Sequence, residues 1–163
     1  MALLTFAGLG DMGKNMSAAL NIPPAKPAAD YSEVRRVASQ GAGNLKPSHL
    51  MNELSNSGVK HNAADVTMVA RTQNGQLVWL EKGNNNAGLT HIANRHASDF
   101  AKKGVNVSQI PEYLREAVVS GRVVGTQNTR PIYEFVFNGQ IHRAAIDIGS
   151  NGFIVGANPS SAP

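Results

Sequence analysis

The stretch Ile132-Tyr133-Glu134-Phe135-Val136-Phe137-Asn138-Gly139-Gln140-Ile141-His142-Arg143-Ala144-Ala145-Ile146-Asp147-Ile148 reads as two strands joined by a tight turn. Asn-Gly between apolar runs is a strong hairpin signal, because both central residues of a type I′ turn need φ above zero. A two-residue turn also fixes the register. It sets Phe137 opposite Gln140, Val136 opposite Ile141, Phe135 opposite His142 and Glu134 opposite Arg143. One face then carries Tyr133, Phe135, Phe137, His142, Ala144 and Ile146, and is expected to meet the core. The other carries Ile132, Glu134, Val136, Ile141, Arg143 and Asp147, and is the more polar.

Asn-Gly recurs at Asn151-Gly152, ahead of Phe153-Ile154-Val155, which extends this hairpin into an antiparallel meander. It occurs again at Asn74-Gly75, between Val66–Ala70 and Leu77–Leu80, and predicts a separate type I′ hairpin there. Two helices lie between the hairpin and the meander. Gly88–Lys103 places Leu89, Ile92, Ala93, His96 and Phe100 on one stripe, follows asparagines able to cap it, and stops at Gly104. Gln109–Ser120 places Ile110, Leu114, Ala117 and Val118 on one face, with Ser108 before it and Gly121 after it. Strands, helices and strands again make an α+β domain, expected over residues 59–163.

Residues 1–58 read differently. The prolines of Ile22–Pro27 forbid a continuous helix or sheet, so a linker-like region is expected, with short helices at Tyr31–Ala38 and Ser48–Leu54. Gly8-Leu9-Gly10-Asp11-Met12-Gly13 matches the dinucleotide fingerprint GxGxxG, but the context fails. The acid required after a second strand would be Asp30, which is reached through prolines that a buried strand does not admit. A nucleotide cofactor is therefore not expected. The start, Met1–Asn21, lacks the features of a signal peptide, and no apolar run approaches the length that crosses a bilayer.

The 163 residues include no cysteine, which removes disulfides, thiolate nucleophiles and cysteine-based zinc sites together. The net charge of +4 favours a polyanionic partner through counterion release. His91 and His96 are five residues apart, so on a helix they diverge by about 140° and are not expected to share a metal. His91 sits in the first turn, where a neutral imidazole able to take a proton is expected, and Arg95 stands one turn further on. His96 lies on the apolar stripe, where a structural histidine is equally compatible with the sequence. Glu134 and Arg143 fall directly across from each other on the polar sheet face, either as a plain ion pair or as reacting groups. Cleavage of RNA through its 2′-hydroxyl needs a base, an acid and cations for the phosphate charge, and histidine, glutamate and arginine supply all three without a metal. Lys82, Lys102, Lys103, Arg122 and Arg130 could hold backbone phosphates, and Trp79 and Tyr133 could stack on a base.

Leu77-Val78-Trp79-Leu80-Glu81-Lys82-Gly83-Asn84, Ala87-Gly88-Leu89-Thr90-His91-Ile92, Arg95-His96 and Gly152-Phe153-Ile154-Val155-Gly156-Ala157-Asn158-Pro159 carry a resemblance. Over roughly Val59–Pro159 the chain resembles the C-terminal toxin domains of bacterial polymorphic toxins and contact-dependent growth inhibition effectors, with the barnase/EndoU/colicin/RelE-like nuclease fold. That resemblance implies a twisted antiparallel sheet with helices on one face and RNA on the other. It implies cleavage of RNA, often tRNA, by transesterification, and a tightly bound cognate immunity protein, which the basic site suggests is acidic. The carried-over catalytic set is His91, Arg95 and His96 on the helix, with Glu134, Arg143 and Ser150 from the meander; in it His91 is expected as general base or acid, Arg95 and Arg143 as phosphate clamps, and Glu134 as a partner in proton transfer or in orienting Arg143. Such a domain is part of a secreted or cell-surface effector and acts in the cytoplasm of the target cell, and residues 1–58 would then be a linker or the remnant of an import segment. The alternative from another class is a non-catalytic RNA- or protein-binding module.

Overall fold

The computed structural model describes residues 45–161, so Gly8–Gly13 and the short helix expected at Tyr31–Ala38 lie outside the described residues. Along the chain run α1 (Ser48–Asn56), β1 (Val66–Arg71), β2 (Leu77–Glu81), α2 (Leu89–Lys102), α3 (Ile110–Ser120), β3 (Arg122–Gln127), β4 (Arg130–Phe137), β5 (Gln140–Ile148) and β6 (Ile154–Pro159). Strands β1 and β2 form one antiparallel sheet, and β3-β4-β5-β6 form a second in chain order, with helices packed against it. The architecture is therefore α+β, as the order of elements predicts.

The central hairpin has the expected register, with Phe137 opposite Gln140, Phe135 opposite His142 and Glu134 opposite Arg143. Asn138 at φ 52° and Gly139 at φ 81° both adopt the left-handed conformation that a type I′ turn demands. The Asn74-Gly75 hairpin differs from expectation. Of its two residues only Gly75 has positive φ, and Arg71 pairs with Leu77 across the loop Thr72–Gln76. Thr72 explains this: its Oγ1 accepts from the Gln76 N–H at 3.1 Å and its N–H donates to the Gln76 carbonyl at 2.9 Å, which favours a longer loop over a two-residue turn.

Strand β3 has no counterpart in the expectations drawn from the sequence. It is an edge strand with no buried residue, bulged between Val123 and Gly125, so it carries no alternating apolar signal. It turns into β4 through Asn128-Thr129, where Asn128 at φ 57° takes the place usually held by glycine.

The apolar stripe of α3 builds the larger core. Ile110, Leu114, Ala117 and Val118 are buried as the helical period predicts. Tyr113 centres an aromatic cluster, edge-on to Phe100 at 5.4 Å, Phe135 at 4.8 Å and Phe137 at 5.2 Å. A smaller core joins Leu54 of α1 to Val66, Val69 and Trp79 of the first hairpin, and the Val69 N–H donates to the Leu45 carbonyl at 2.9 Å. The boundary expected between residues 58 and 59 is thus not a break in packing: α1 covers the β1-β2 hairpin and belongs to the folded unit.

The two sheets meet where the Trp79 N–H donates to the Gly152 carbonyl at 3.0 Å. Gly152 has φ 100°, and a Cβ there would stand 2.2 Å from the Leu77 carbonyl oxygen, so the junction requires glycine. Among the described residues no helix is long and apolar enough to cross a membrane.

Candidate functional site

The loop entering α2 is built on two opposed glycines. Gly83 has φ 68° and Gly88 φ 88°; a Cβ on Gly83 would lie 2.1 Å from the Ala87 oxygen, and one on Gly88 would lie 3.0 Å from the Gly83 Cα. Only glycine at both positions lets Lys82–Gly88 close so tightly. The Gly88 N–H donates to the Val155 carbonyl at 3.0 Å, tying the start of α2 to β6.

This closure points the Asn85 carbonyl at the helix, where His91 Nδ1 lies 2.8 Å from it. Because a carbonyl only accepts, Nδ1 carries the proton, and in the neutral ring Nε2 is left as the acceptor, the atom a general base uses. Asn94, on the next turn, donates from Nδ2 to the Asn85 side-chain oxygen at 2.8 Å and holds the same residue from a second side.

The His91 ring reaches Gly156 of β6. The point where a Gly156 Cβ would stand is 3.7 Å from His91 Cδ2, 3.3 Å from Arg130 Nη2 and 3.8 Å from Arg130 Cζ. An imidazole and a guanidinium therefore both border the recess left by the missing side chain. Those two groups lie no more than about 7 Å apart, the two distances taken together, a span that one phosphate group with its oxygens can bridge. Arg130 opens β4, and its Nη1 donates to Asn158 Oδ1 at 3.0 Å, while Asn158 Nδ2 donates to Gln127 Oε1 at 3.3 Å and to the Pro159 carbonyl at 2.9 Å. Among the described residues Nη2 makes no hydrogen bond, so one edge of the fork is oriented and unoccupied. Asp147 pairs with Gly156 and shares its face of the sheet, which places a carboxylate beside the recess.

Compared with known proteins, the chain matches no family model and no curated protein.

Glu134 lies elsewhere on the same face, and of the two roles expected for it, a part in proton transfer or the orienting of Arg143, its geometry fits the second. Its Oε2 accepts from Arg143 Nε at 2.9 Å and Nη2 at 2.7 Å, and its Oε1 accepts from Arg122 Nε at 3.2 Å and Nη2 at 2.9 Å. Glu134 is only 7% exposed. Burial by itself would raise its pKa, but the hydrogen bonds and charges of the two arginines outweigh burial and hold the carboxyl below the usual carboxylate range. A carboxylate with both oxygens clamped by guanidinium forks has no free lone pair for a substrate proton. Its role is to position Arg122 and Arg143.

The sheet face around it is also less open than the alternating pattern predicts. Ile132, Val136 and Ala145 are buried there along with Glu134, so the polar groups stand as separate islands. On the core face His142 is buried against Tyr113, Phe135 and Phe137.

The remaining expected site residues disperse. His96 Nδ1 pairs with Asp99 Oδ2 at 3.0 Å along its own helix, a half-buried surface pair rather than a partner of His91. Arg95 is exposed and makes no hydrogen bond or ion pair among the described residues. Ser150 is exposed in the turn between β5 and β6, with no polar side-chain partner among the described residues. Lys102 and Lys103 are exposed at the C-terminal end of α2, and Lys82 is exposed in the loop before it. The structure brings together His91 and Arg130, and separately Arg122, Glu134 and Arg143.

Sequence reasoning missed Gly156, Asn158, Gln127, Asp147 and Asn85. Two signals were available: the asparagine run Asn84–Asn86 bounded by glycines just ahead of His91, and a glycine inside a strand, which marks close approach by another group.

Proposed function

We propose that this domain is an endoribonuclease of the toxin type, cleaving RNA at the Gly156 recess by attack of a 2′-hydroxyl, which gives up its proton, on the adjacent phosphorus, breaking the bond to the 5′-oxygen, which leaves with a proton. One observation carries the reading: His91, its tautomer held by the Asn85 carbonyl, and Arg130, held by Asn158, both border the position that a side chain on Gly156 would take. Transesterification needs groups that take and return protons and a cation for the charge growing on the phosphate. His91 and Asp147 are the proton-exchanging groups at the recess, and the open Nη2 of Arg130 is the cation. No step in this scheme calls for a metal.

The sequence resemblance supplies the setting: tRNA as substrate, use between competing bacteria, and an acidic immunity protein that covers the basic face. The net charge of +4 supports an anionic partner. The finer assignment to the barnase/EndoU/colicin/RelE-like fold belongs to this proposal and is supported by the order of helices and meander. Incubation of total RNA with the protein in EDTA, read on a gel, tests the reading. Cleavage is expected for the wild type and is expected to be lost in His91→Ala and in Arg130→Ala. Retention of cleavage in both variants would overturn it.

A further inference from the structure

Arg122, Glu134 and Arg143 form a cluster that the recess chemistry does not use. Arg130 and Glu134 share a strand and a face, four residues apart, which sets their Cα atoms about 13 Å apart. That is too far for one phosphate and close enough for two phosphates of one oligonucleotide. A single guanidinium would neutralise Glu134; here there are two, so the cluster carries one net positive charge.

Both arginines also keep unused donors. Arg122 gives Nε and Nη2 to Glu134 and, among the described residues, leaves Nη1 uncommitted. Arg143 gives Nε and Nη2 to Glu134, and Nη1 reaches the Ser161 carbonyl at 3.3 Å. Their side chains are 49% and 32% exposed, against 9% for the carboxylate between them. A buried acid thus fixes two forks whose outer edges face solvent. The entropy of ordering the arginines is already spent before any anion arrives.

We propose that the Arg122–Glu134–Arg143 cluster is a second phosphate subsite, which grips the RNA backbone at a distance from the phosphate that reacts. The choice of RNA as the source of that phosphate rests on the proposed function. The subsite binds a non-bridging phosphate oxygen in charge-assisted hydrogen bonds and reads no base, so it sets the reach and register of the strand rather than its sequence.

The test uses 2′-O-methylated RNA, which lacks the attacking hydroxyl and reports binding without cleavage. Affinity is measured by fluorescence polarisation for a trinucleotide and for a longer oligonucleotide, over a range of salt. Arg122→Gln and Arg143→Gln are expected to weaken binding of the longer strand about tenfold. They are expected to flatten its salt dependence by about 0.7 in log–log slope for each phosphate that is no longer neutralised, and to spare most of the trinucleotide's affinity. Each single variant leaves Glu134 less well compensated, so the triple variant R122Q/E134Q/R143Q serves as the check with no buried charge and is expected to show the same loss. Wild-type affinity for the longer strand in the triple variant would overturn the subsite, as would equal losses at both lengths. Unchanged RNA binding with lost affinity for polyglutamate would also overturn it, in favour of a protein partner. Because these readouts need no cleavage, a wild type that binds RNA without cutting it would strike the catalytic reading and leave the subsite standing.

Discussion

Gly156→Ala separates a packing glycine from one that makes room for substrate. Gly156 lies in a strand outside the left-handed region, so the backbone accepts alanine without torsional strain. A glycine in a strand interior costs about 0.5–1 kcal/mol relative to alanine, which makes the substitution slightly stabilising in isolation. The new methyl would stand 3.3 Å from Arg130 Nη2 and 3.7 Å from His91 Cδ2, so the arginine must yield only a few tenths of an ångström. The melting temperature is expected to stay constant or rise by a few degrees. Activity should behave in the opposite way. A phosphate oxygen held by Nη2 needs to sit about 2.8 Å from it, in the volume that the methyl takes. Displacing a reacting group by about 1 Å costs on the order of 100-fold in rate, close to 2.7 kcal/mol in the barrier. The assay is the initial rate of cleavage of a defined RNA in EDTA, paired with a circular-dichroism melt. An alanine variant that melts normally and cleaves at the wild-type rate would refute the recess as the place where the phosphate sits.

Other consequences follow from the packing and the charges. Gly88→Ala puts a Cβ 2.8 Å from the Glu81 oxygen at a residue with φ 88°; a loss of about 2 kcal/mol in urea denaturation is expected, together with lost cleavage as Asn85 swings off His91. Leu54→Ala empties a fully buried site between α1 and the first hairpin and should cost about 3 kcal/mol by the same measurement; a value near zero would mean that α1 is not part of the folded unit. His142 is held below the ordinary histidine value of 6.5, first by burial and second by the charge of Lys103, with the Tyr113, Phe135 and Phe137 rings around it. The unfolded chain therefore binds a proton that the folded one resists. This contribution is fully present above pH 6.5 and is lost as the pH falls through the folded value. Urea midpoints at about pH 7.5 and about pH 5 should differ more in the wild type than in His142→Phe, and an equal drop in both would remove His142 as the cause.

The fold was legible where a residue's neighbours follow from arithmetic. A two-residue turn and a period of two place Glu134 against Arg143 and Phe135 against His142 without any other knowledge, and the structure has both pairs. The helical period likewise picks out the buried face of α3. Strand β3 failed that arithmetic because an edge strand buries little and leaves no pattern. At the recess, His91 was visible as a first-turn histidine, and Arg95 looked like its companion because helical spacing is the only proximity a sequence displays. The actual companion, Arg130, arrives from a strand, oriented by an asparagine 28 positions away in the chain. Gly156 was invisible for a different reason: it contributes the absence of a side chain, which has meaning only once the groups bordering it are known.

Glu134 shows how one unseen element changes a chemical role. With Arg143 alone across from it, one carboxylate oxygen remains for a substrate proton, and a part in proton transfer is a sound inference. Strand β3 adds Arg122 directly opposite the same glutamate, which occupies the second oxygen with two more hydrogen bonds. The acid is then held ionised and fully engaged, and its free energy goes into fixing two cations instead of moving a proton. The chemistry assigned to a residue thus depends on the number of its partners. At Glu134 that number turned on whether Arg122–Gln127 forms a strand, and the stretch has no apolar alternation to announce one.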